Sequence, residues 1–433
     1  MKRYILSIGM IQMPLLAACW TKIAPEDTLL PPGRFSHSIC YVPDCTAIFV
    51  LFGEDYRGYA MNDLWYFSLK DSVWREVITD TLTKPAPRMS QSACYIKGLN
   101  KIFVFGGKTV SGRPADLNDT WYFDISTMTW ESVVVDTAPP PRAWAGCAYD
   151  PVLNRIFIFG GYDSLGNALD ETWFFEPGSS KWQFVNASAK PHRRGGAGYV
   201  YDPHGYRMIM YGGMYALDSG KMSDTWAFNL STLLWDSLET VNTPPNKAFL
   251  GIVCDSPRVR VITYGGEGTG NGETWALNFS DLTWSRICDA NGGPGYDRIT
   301  CMAVDTGYHW AYLFSGKGDI HDIPLQDLWA LDLSSPDVSE GIDKQPLSLS
   351  ISPNPAKGQV RISFTLPEEG PYSLRLYDAA GRMVRDLGQA QKGGQPQGIA
   401  PTSFLWVPDV PRGVYFLRLE AGGRVLTEKL VIQ

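Results

Sequence analysis

The chain lacks most of the features that mark the common catalytic and nucleic-acid-binding classes. None of its eight cysteines stands in a Cys-x-x-Cys pair, so zinc-site spacing is absent. Only five histidines occur (His37, His192, His204, His309 and His321), and no two have metal-ligand spacing. There is no Gly-x-Ser-x-Gly, no phosphate-binding P-loop and no His-Glu-x-x-His. A basic tract is missing too, and a formal charge of −7 argues against general nucleic-acid binding. After the N-terminal segment no apolar run is long enough to span a bilayer. With 44% hydrophobic and 19% charged residues, the composition is that of a globular chain.

What is abundant points to β structure. Fifteen Trp, 21 Tyr and 19 Phe accompany 43 Gly and 30 Pro, the mixture expected of short strands and tight turns. At 433 residues the chain is too long for one small domain. Lys2 and Arg3 followed by an apolar run from Tyr4 to Leu16 read as an export signal over residues 1–18. Leu16-Ala17-Ala18-Cys19 also resembles a bacterial lipobox, which implies lipidation of Cys19; ordinary cleavage after Ala18 is the other reading.

Six segments repeat at near-constant spacing. Each opens on a basic residue after a Pro- or Gly-rich turn: Arg34, Arg88, Arg142, Arg194, Lys247 and Arg298. An apolar strand then ends in paired glycines at Gly106-Gly107, Gly160-Gly161, Gly212-Gly213 and Gly265-Gly266, degraded to Gly53-Glu54 and Ser315-Gly316 in the outer repeats. After a variable loop comes an acid two residues before a Trp: Asp63, Asp119, Glu171, Asp224, Glu273 and Asp327. A second Trp follows at constant distance, at Trp74, Trp130, Trp182, Trp235 and Trp284. These residues resemble the kelch motif over roughly residues 20–340. Each repeat offers about four short strands, and stacking such sheets radially buries both faces. The expected fold is all-β: a six-bladed kelch-type β-propeller over residues 19–335. The sixth repeat has no Trp at the second position, whereas Trp20-Thr21-Lys22-Ile23 resembles Trp74-Arg75-Glu76-Val77. Trp20 precedes Arg34 as Trp74 precedes Arg88, so an N-terminal strand is expected to complete the sixth blade and hide an edge.

Residues 336–346 read as a linker, after which strand-like segments return without the repeat spacing, implying a small β-sandwich over 347–433. Pro353-Asn354-Pro355, Leu376-Tyr377-Asp378 with Gly381-Arg382, Gly413-Val414-Tyr415-Phe416 and Lys429-Leu430-Val431 resemble the C-terminal sorting domain of the Por (type IX) secretion system. That resemblance implies export to the cell surface or the medium, with residues 347–433 engaging the secretion machinery.

Two sets of residues are candidates for a site. Arg34, Arg88, Arg142, Arg194, Lys247 and Arg298 are expected as a ring at one mouth of the channel. The ring either binds an anion or is consumed in ion pairs between blades with the six repeated acids. The loops after the glycines, including 108–118 and 162–170, are expected to carry contacts through Tyr56, Arg57, Tyr59, Tyr162, Met214 and Tyr215. Cys40 and Cys45 bracket a hairpin turn and are candidates for a disulfide; Cys94, Cys147, Cys254 and Cys301 read as small strand residues. Six Asp-Ser/Thr-apolar triplets, among them Asp71-Ser72-Val73 and Asp163-Ser164-Leu165, resemble the O-glycosylation motif of bacteria with this secretion route. The function these features support is a monomeric, non-catalytic module, without metal or cofactor, that binds a protein or a glycan. The alternative is a carbohydrate-active or redox enzyme, mutarotase-like or galactose-oxidase-like, using the central pocket.

Overall fold

The computed structural model describes residues 20–433 except 27–28, 81–82, 111–116, 217–218, 269–271, 289–292, 296–298, 308, 318–323, 334–347, 353, 366–371, 380, 391–401 and 422–423. The expected export signal, Cys19 and the expected linker therefore lie outside the described residues.

The repeats form six four-stranded antiparallel sheets. The first consists of Ser38–Val42, Ala47–Leu51, Leu64–Ser68 and Val73–Glu76 in that order. Its second strand, Ala-Ile-Phe-Val-Leu, is buried throughout. A continuous apolar run of this kind is what a strand covered on both faces requires. The first strands of successive sheets are Ser38–Val42, Ser92–Ile96, Gly146–Asp150, Gly198–Asp202, Gly251–Asp255 and Met302–Val304. Each lies against the next, and the last lies against the first.

One Trp per sheet fills the space toward its neighbour. Trp74, Trp130, Trp182, Trp235 and Trp284 are buried on fourth strands. Each ring packs on the aromatic that ends the second strand of the preceding sheet. The partners are Phe314, Phe52, Phe105, Phe159 and Tyr211, with centroids 4.5 to 5.4 Å apart. Trp20 obeys the same rule, 4.9 Å from Tyr264. The strand that carries it, Trp20–Ile23, pairs antiparallel with Leu328–Asp332, Trp20 opposite Leu331 and Lys22 opposite Trp329. The indole N–H groups of Trp20, Trp182 and Trp235 donate to Thr274, Thr120 and Thr172 of the preceding sheet. Repeats one and six have Leu64 and Leu328 where these threonines stand, and Trp130 and Trp74 correspondingly lack a partner.

The glycine pairs mark where one repeat touches the next. Gly107, Gly161 and Gly213 donate their N–H groups to the carbonyls of Arg142, Arg194 and Lys247, at 2.8 to 2.9 Å, with φ of 92° to 103°. A Cβ at the preceding Gly106, Gly160 or Gly212 would lie 2.3 to 2.8 Å from the same carbonyls. Glycine takes up both the approach and the backbone angle without strain, while Phe52 and Ser315 hold the first position at φ of 57° and 56° in the outer repeats.

The C-terminal residues build two further sheets. One holds Ser348–Ser352, Val360–Thr365 and Thr402–Trp406; the other holds Met383–Ala390, Tyr372–Asp378, Gly413–Ala421 and Arg424–Ile432. Ile362, Leu374, Leu376, Leu417, Leu419 and Leu430 belong to one separate core there. Strands 383–390 and 402–406 were not expected from the sequence. Among the described residues no helix is long and apolar enough to cross a membrane.

The expected Cys40–Cys45 disulfide does not form, and both thiols are free. The ladder runs to Val42 opposite Ala47, which puts Cys40 opposite Phe49 and leaves Cys45 inside the turn, its thiol directed at the Val42 carbonyl. Cys94, Cys254 and Cys301 are free as well, and burial pushes each thiol up, away from the reactive thiolate. Cys288 is disulfide-bonded.

Candidate binding site

The repeated basic residues sit inside the protein. Arg34, Arg88, Arg142 and Arg194 are at most 1% exposed and Lys247 is 4% exposed; Arg298 lies outside the described residues. Arg34 grips Asp63 with two hydrogen bonds of 2.8 and 2.7 Å and also donates to the carbonyls of Phe52 and Pro32. Arg88 repeats the fork on Asp119, and Arg194 on Asp224. Arg142 donates to Glu171 at 2.6 Å. Each carboxylate also accepts from the Trp two residues on, as Asp63 does from Trp65. Burial alone would raise the pKa values of Asp63, Asp119, Glu171 and Asp224. The guanidinium bonds and charge, with the indole bond, outweigh it and hold all four below the ordinary range. These pairs were expected between blades. They form instead within one repeat, while the main chain of the same arginine bonds the preceding one: Arg88 donates to the carbonyl of Met61 and accepts from Gly53.

Two residues beyond each basic residue the chain turns toward the space enclosed by the six first strands. Ser36, Ser90, Trp144, Gly196 and Phe249 occupy this place with φ between 54° and 65°. Each N–H donates to the preceding carbonyl around the circle: Ser90 to Ser36, Trp144 to Ser90, Gly196 to Trp144, Phe249 to Gly196 and Thr300 to Phe249. Bulky residues such as Trp144 and Phe249 otherwise avoid this left-handed conformation, at a cost of order 1–3 kcal/mol.

The ring surrounds a cavity of about 130 Å³ to which all six repeats contribute. Its two halves differ. Repeats one, two and six supply Ser36, His37, Ser90, Gln91 and Thr300, with Ile299 the one apolar member; repeats three to five supply Trp144, Ala145, Gly196, Ala197, Phe249 and Leu250. The Trp144 and Phe249 rings meet at 5.3 Å, and the Lys108 ammonium lies 4.1 Å from the Trp144 centroid. Five polar atoms on the lining are buried and without a hydrogen-bond partner: both ring nitrogens of His37, Ser90 Oγ, Gln91 Oε1 and Trp144 Nε1. Burial, helped by the charge of Arg34, pushes the His37 pKa down to about 3, so its imidazole is neutral. Among the described residues no three His, Cys, Asp or Glu side chains gather as metal ligands.

The variable loops start beside this cavity. Phe35, Met89, Ala143, Gly195 and Ile299 bridge to Glu54, Lys108, Tyr162, Met214 and Lys317. Tyr56, Tyr59 and Tyr215 are 64%, 66% and 47% exposed. The Arg57 guanidinium lies 5.3 and 5.4 Å from the rings of Tyr56 and Tyr59 and pairs with Asp55 at 2.8 Å. Tyr162 and Met214, expected as contacts on the same surface, are buried instead. The first residue after the glycines is held in a bridge to the start of its own repeat, Tyr162 to Ala143 and Met214 to Gly195, and the Tyr162 hydroxyl donates to the Met214 carbonyl of the next repeat.

Sequence reasoning missed the cavity residues His37, Ser90, Gln91, Trp144 and Phe249. Aligning the repeats on their basic residue would have exposed them, because the second and third places differ from repeat to repeat within a constant frame.

Residues 10–191 match the family described as the KLHDC2/KLHL20/DRC7 Kelch-repeats domain, and residues 350–433 match the secretion system C-terminal sorting domain. An F-box/kelch-repeat protein of Arabidopsis thaliana is 30% identical over 47% of this chain and 45% of its own length. Adagio protein 3 of the same plant is 30% identical over 55% of the chain and 40% of its own. The flagellar outer-arm dynein alpha chain of Chlamydomonas reinhardtii is 28% identical over 54% of the chain and 5% of its own. The chain thus spans less than half the length of these relatives. The sorting domain indicates export through the type IX secretion system, to the cell surface or the medium. The chain carries a kelch-repeat domain followed by a secretion-system C-terminal sorting domain.

Proposed function

We propose that this protein is an exported, non-catalytic binding module. Residues 19–335 form a six-bladed propeller closed by its N-terminal strand, which holds a protein or glycan ligand at the loop-bearing mouth of its axis. Residues 347–433 engage the secretion machinery, and residues 1–18 act as the export signal. The observation that carries the binding reading is the axial cavity, where five buried polar atoms await partners beneath a rim bearing Tyr56, Arg57, Tyr59 and Tyr215. Leaving such atoms unpaired costs about 1–3 kcal/mol each, which a bound group can recover. The arginine ring carries the fold and not the ligand, because its guanidinium groups are already engaged. A disulfide at Cys288 suits an oxidising compartment.

A surface pull-down and a glycan array with the purified chain test this reading. Ser36→Tyr, which fills the cavity, should abolish capture without unfolding the protein; capture unchanged by it would refute an axial site. Deletion of residues 347–433 should leave the protein in the periplasm, and unaltered surface or medium levels would refute the sorting role.

A further inference from the structure

We propose that the axial cavity receives the end of an uncharged carbohydrate, a single neutral pyranose residue, and rejects acidic sugars. The inference rests on the binding reading above and names the ligand class for that same cavity.

The first argument is the division of the lining. A pyranose has an apolar C–H face and an edge of hydroxyl groups. The cavity has an aromatic wall, Trp144 and Phe249, and a polar wall, Ser36, His37, Ser90, Gln91 and Thr300. Pockets that hold small ligands combine these two kinds of surface, the apolar part for area and the polar part for orientation.

The second is the kind of polar atom left open. Gln91 Oε1 can only accept and Trp144 Nε1 can only donate; neutral His37 offers one of each, and Ser90 Oγ can do either. Gln91 is oriented by its own amide, which donates to Ser38 Oγ at 2.8 Å, and its acceptor atom has no partner. A hydroxyl group both donates and accepts. Several on one rigid ring can satisfy such a mixed set, whereas a carboxylate would leave Gln91 Oε1 unpaired and repelled.

The third is charge. Among the lining residues none is ionised: His37 is neutral, the nearest arginine, Arg34, is committed to Asp63 through both terminal nitrogens, and the Lys108 ammonium sits on the Trp144 ring. An acidic sugar would find no ionised partner within the lining, and an unpaired buried charge is far more costly than a neutral polar group. The size agrees with one ring, the remainder of a chain leaving by the mouth.

The experiment is equilibrium binding of the full chain to a panel of oligosaccharides ending in neutral hexoses, and to matched oligosaccharides ending in uronic or sialic acids. Saturable binding to a neutral member, with its acidic counterpart weaker by about tenfold or more, is expected. In the same assay Trp144→Ala should weaken the neutral ligand by about tenfold or more, and Phe249→Leu should weaken it less. Urea unfolding of both variants reports whether they fold, and the comparison of neutral with acidic ligands needs no variant. Equal or preferred binding of acidic members overturns the inference, as does a neutral ligand indifferent to Trp144→Ala. A protein partner captured in place of any sugar, and lost in Ser36→Tyr, overturns the sugar assignment while leaving the binding module standing; no partner of either kind removes both.

Discussion

Two buried polar regions lie side by side in this protein and have opposite character. In the girdle between repeats, every described arginine of the series is matched to a carboxylate, the carboxylate to an indole, and the main chain of the arginine to the preceding repeat. In the axial cavity, a few residues farther along the same turns, five polar atoms have no partner. The difference separates holding from receiving. A saturated polar network has nothing left to offer a ligand, whereas an unsaturated one is costly until something fills it.

The largest effect is expected from removing one of the indoles wedged between sheets beside the girdle. Trp20→Ala should lower stability by about 3–5 kcal/mol in urea unfolding, since a buried indole packed on Tyr264 is deleted. A negligible loss would detach the N-terminal strand from the structural role given to it. Next is Asp63→Asn, which leaves the fully buried Arg34 without its counter-charge and should cost about 3 kcal/mol. Ligand affinity should survive in the folded fraction, and a selective loss of affinity would return the arginines to the binding site.

The same carboxylates set an acid limit. Their folded-state pKa values lie below the ordinary values of 3.8 and 4.5, so near those values the unfolded chain binds more protons than the native one. Stability from these pairs is therefore complete above that range and is lost as pH falls through the depressed values. Urea midpoints measured from neutral pH downward should fall below about pH 4, less steeply in Asp63→Asn. A parallel slope in the two proteins would remove the Arg34–Asp63 pair from the account. The smallest effect is expected from the cavity. Ser90→Ala deletes a hydroxyl that bonds to nothing, and the ligand-free protein should change by no more than about 1 kcal/mol, in either direction. A large loss would mean that Ser90 belongs to the girdle after all.

The girdle was legible in the sequence because it is the part that repeats. Basic residue, glycine pair, acid and tryptophan recur in register, and in the first four repeats the arginine, the acid and the tryptophan do the same local job. The cavity was not legible for the opposite reason. Ser-His, Ser-Gln, Trp-Ala, Gly-Ala, Phe-Leu and Ile-Thr look unrelated along the chain and become one lining only when six turns meet. Tyr162 and Met214 were misplaced because a loop that is variable in sequence still begins with residues fixed in a bridge to the start of their own repeat. In the C-terminal sandwich, Met383–Ala390 escaped notice as an outer strand of its sheet, with Met383 56% exposed and no apolar alternation to betray it.

The pairing of Trp20 with Leu331 also bears on timing. A polypeptide emerging from the ribosome presents its first strand long before the partner at residues 328–332 exists. Until the last repeat has been made, the earliest segment has no ladder to join, and bringing such distant segments together carries a loop-closure cost before any contact rewards it.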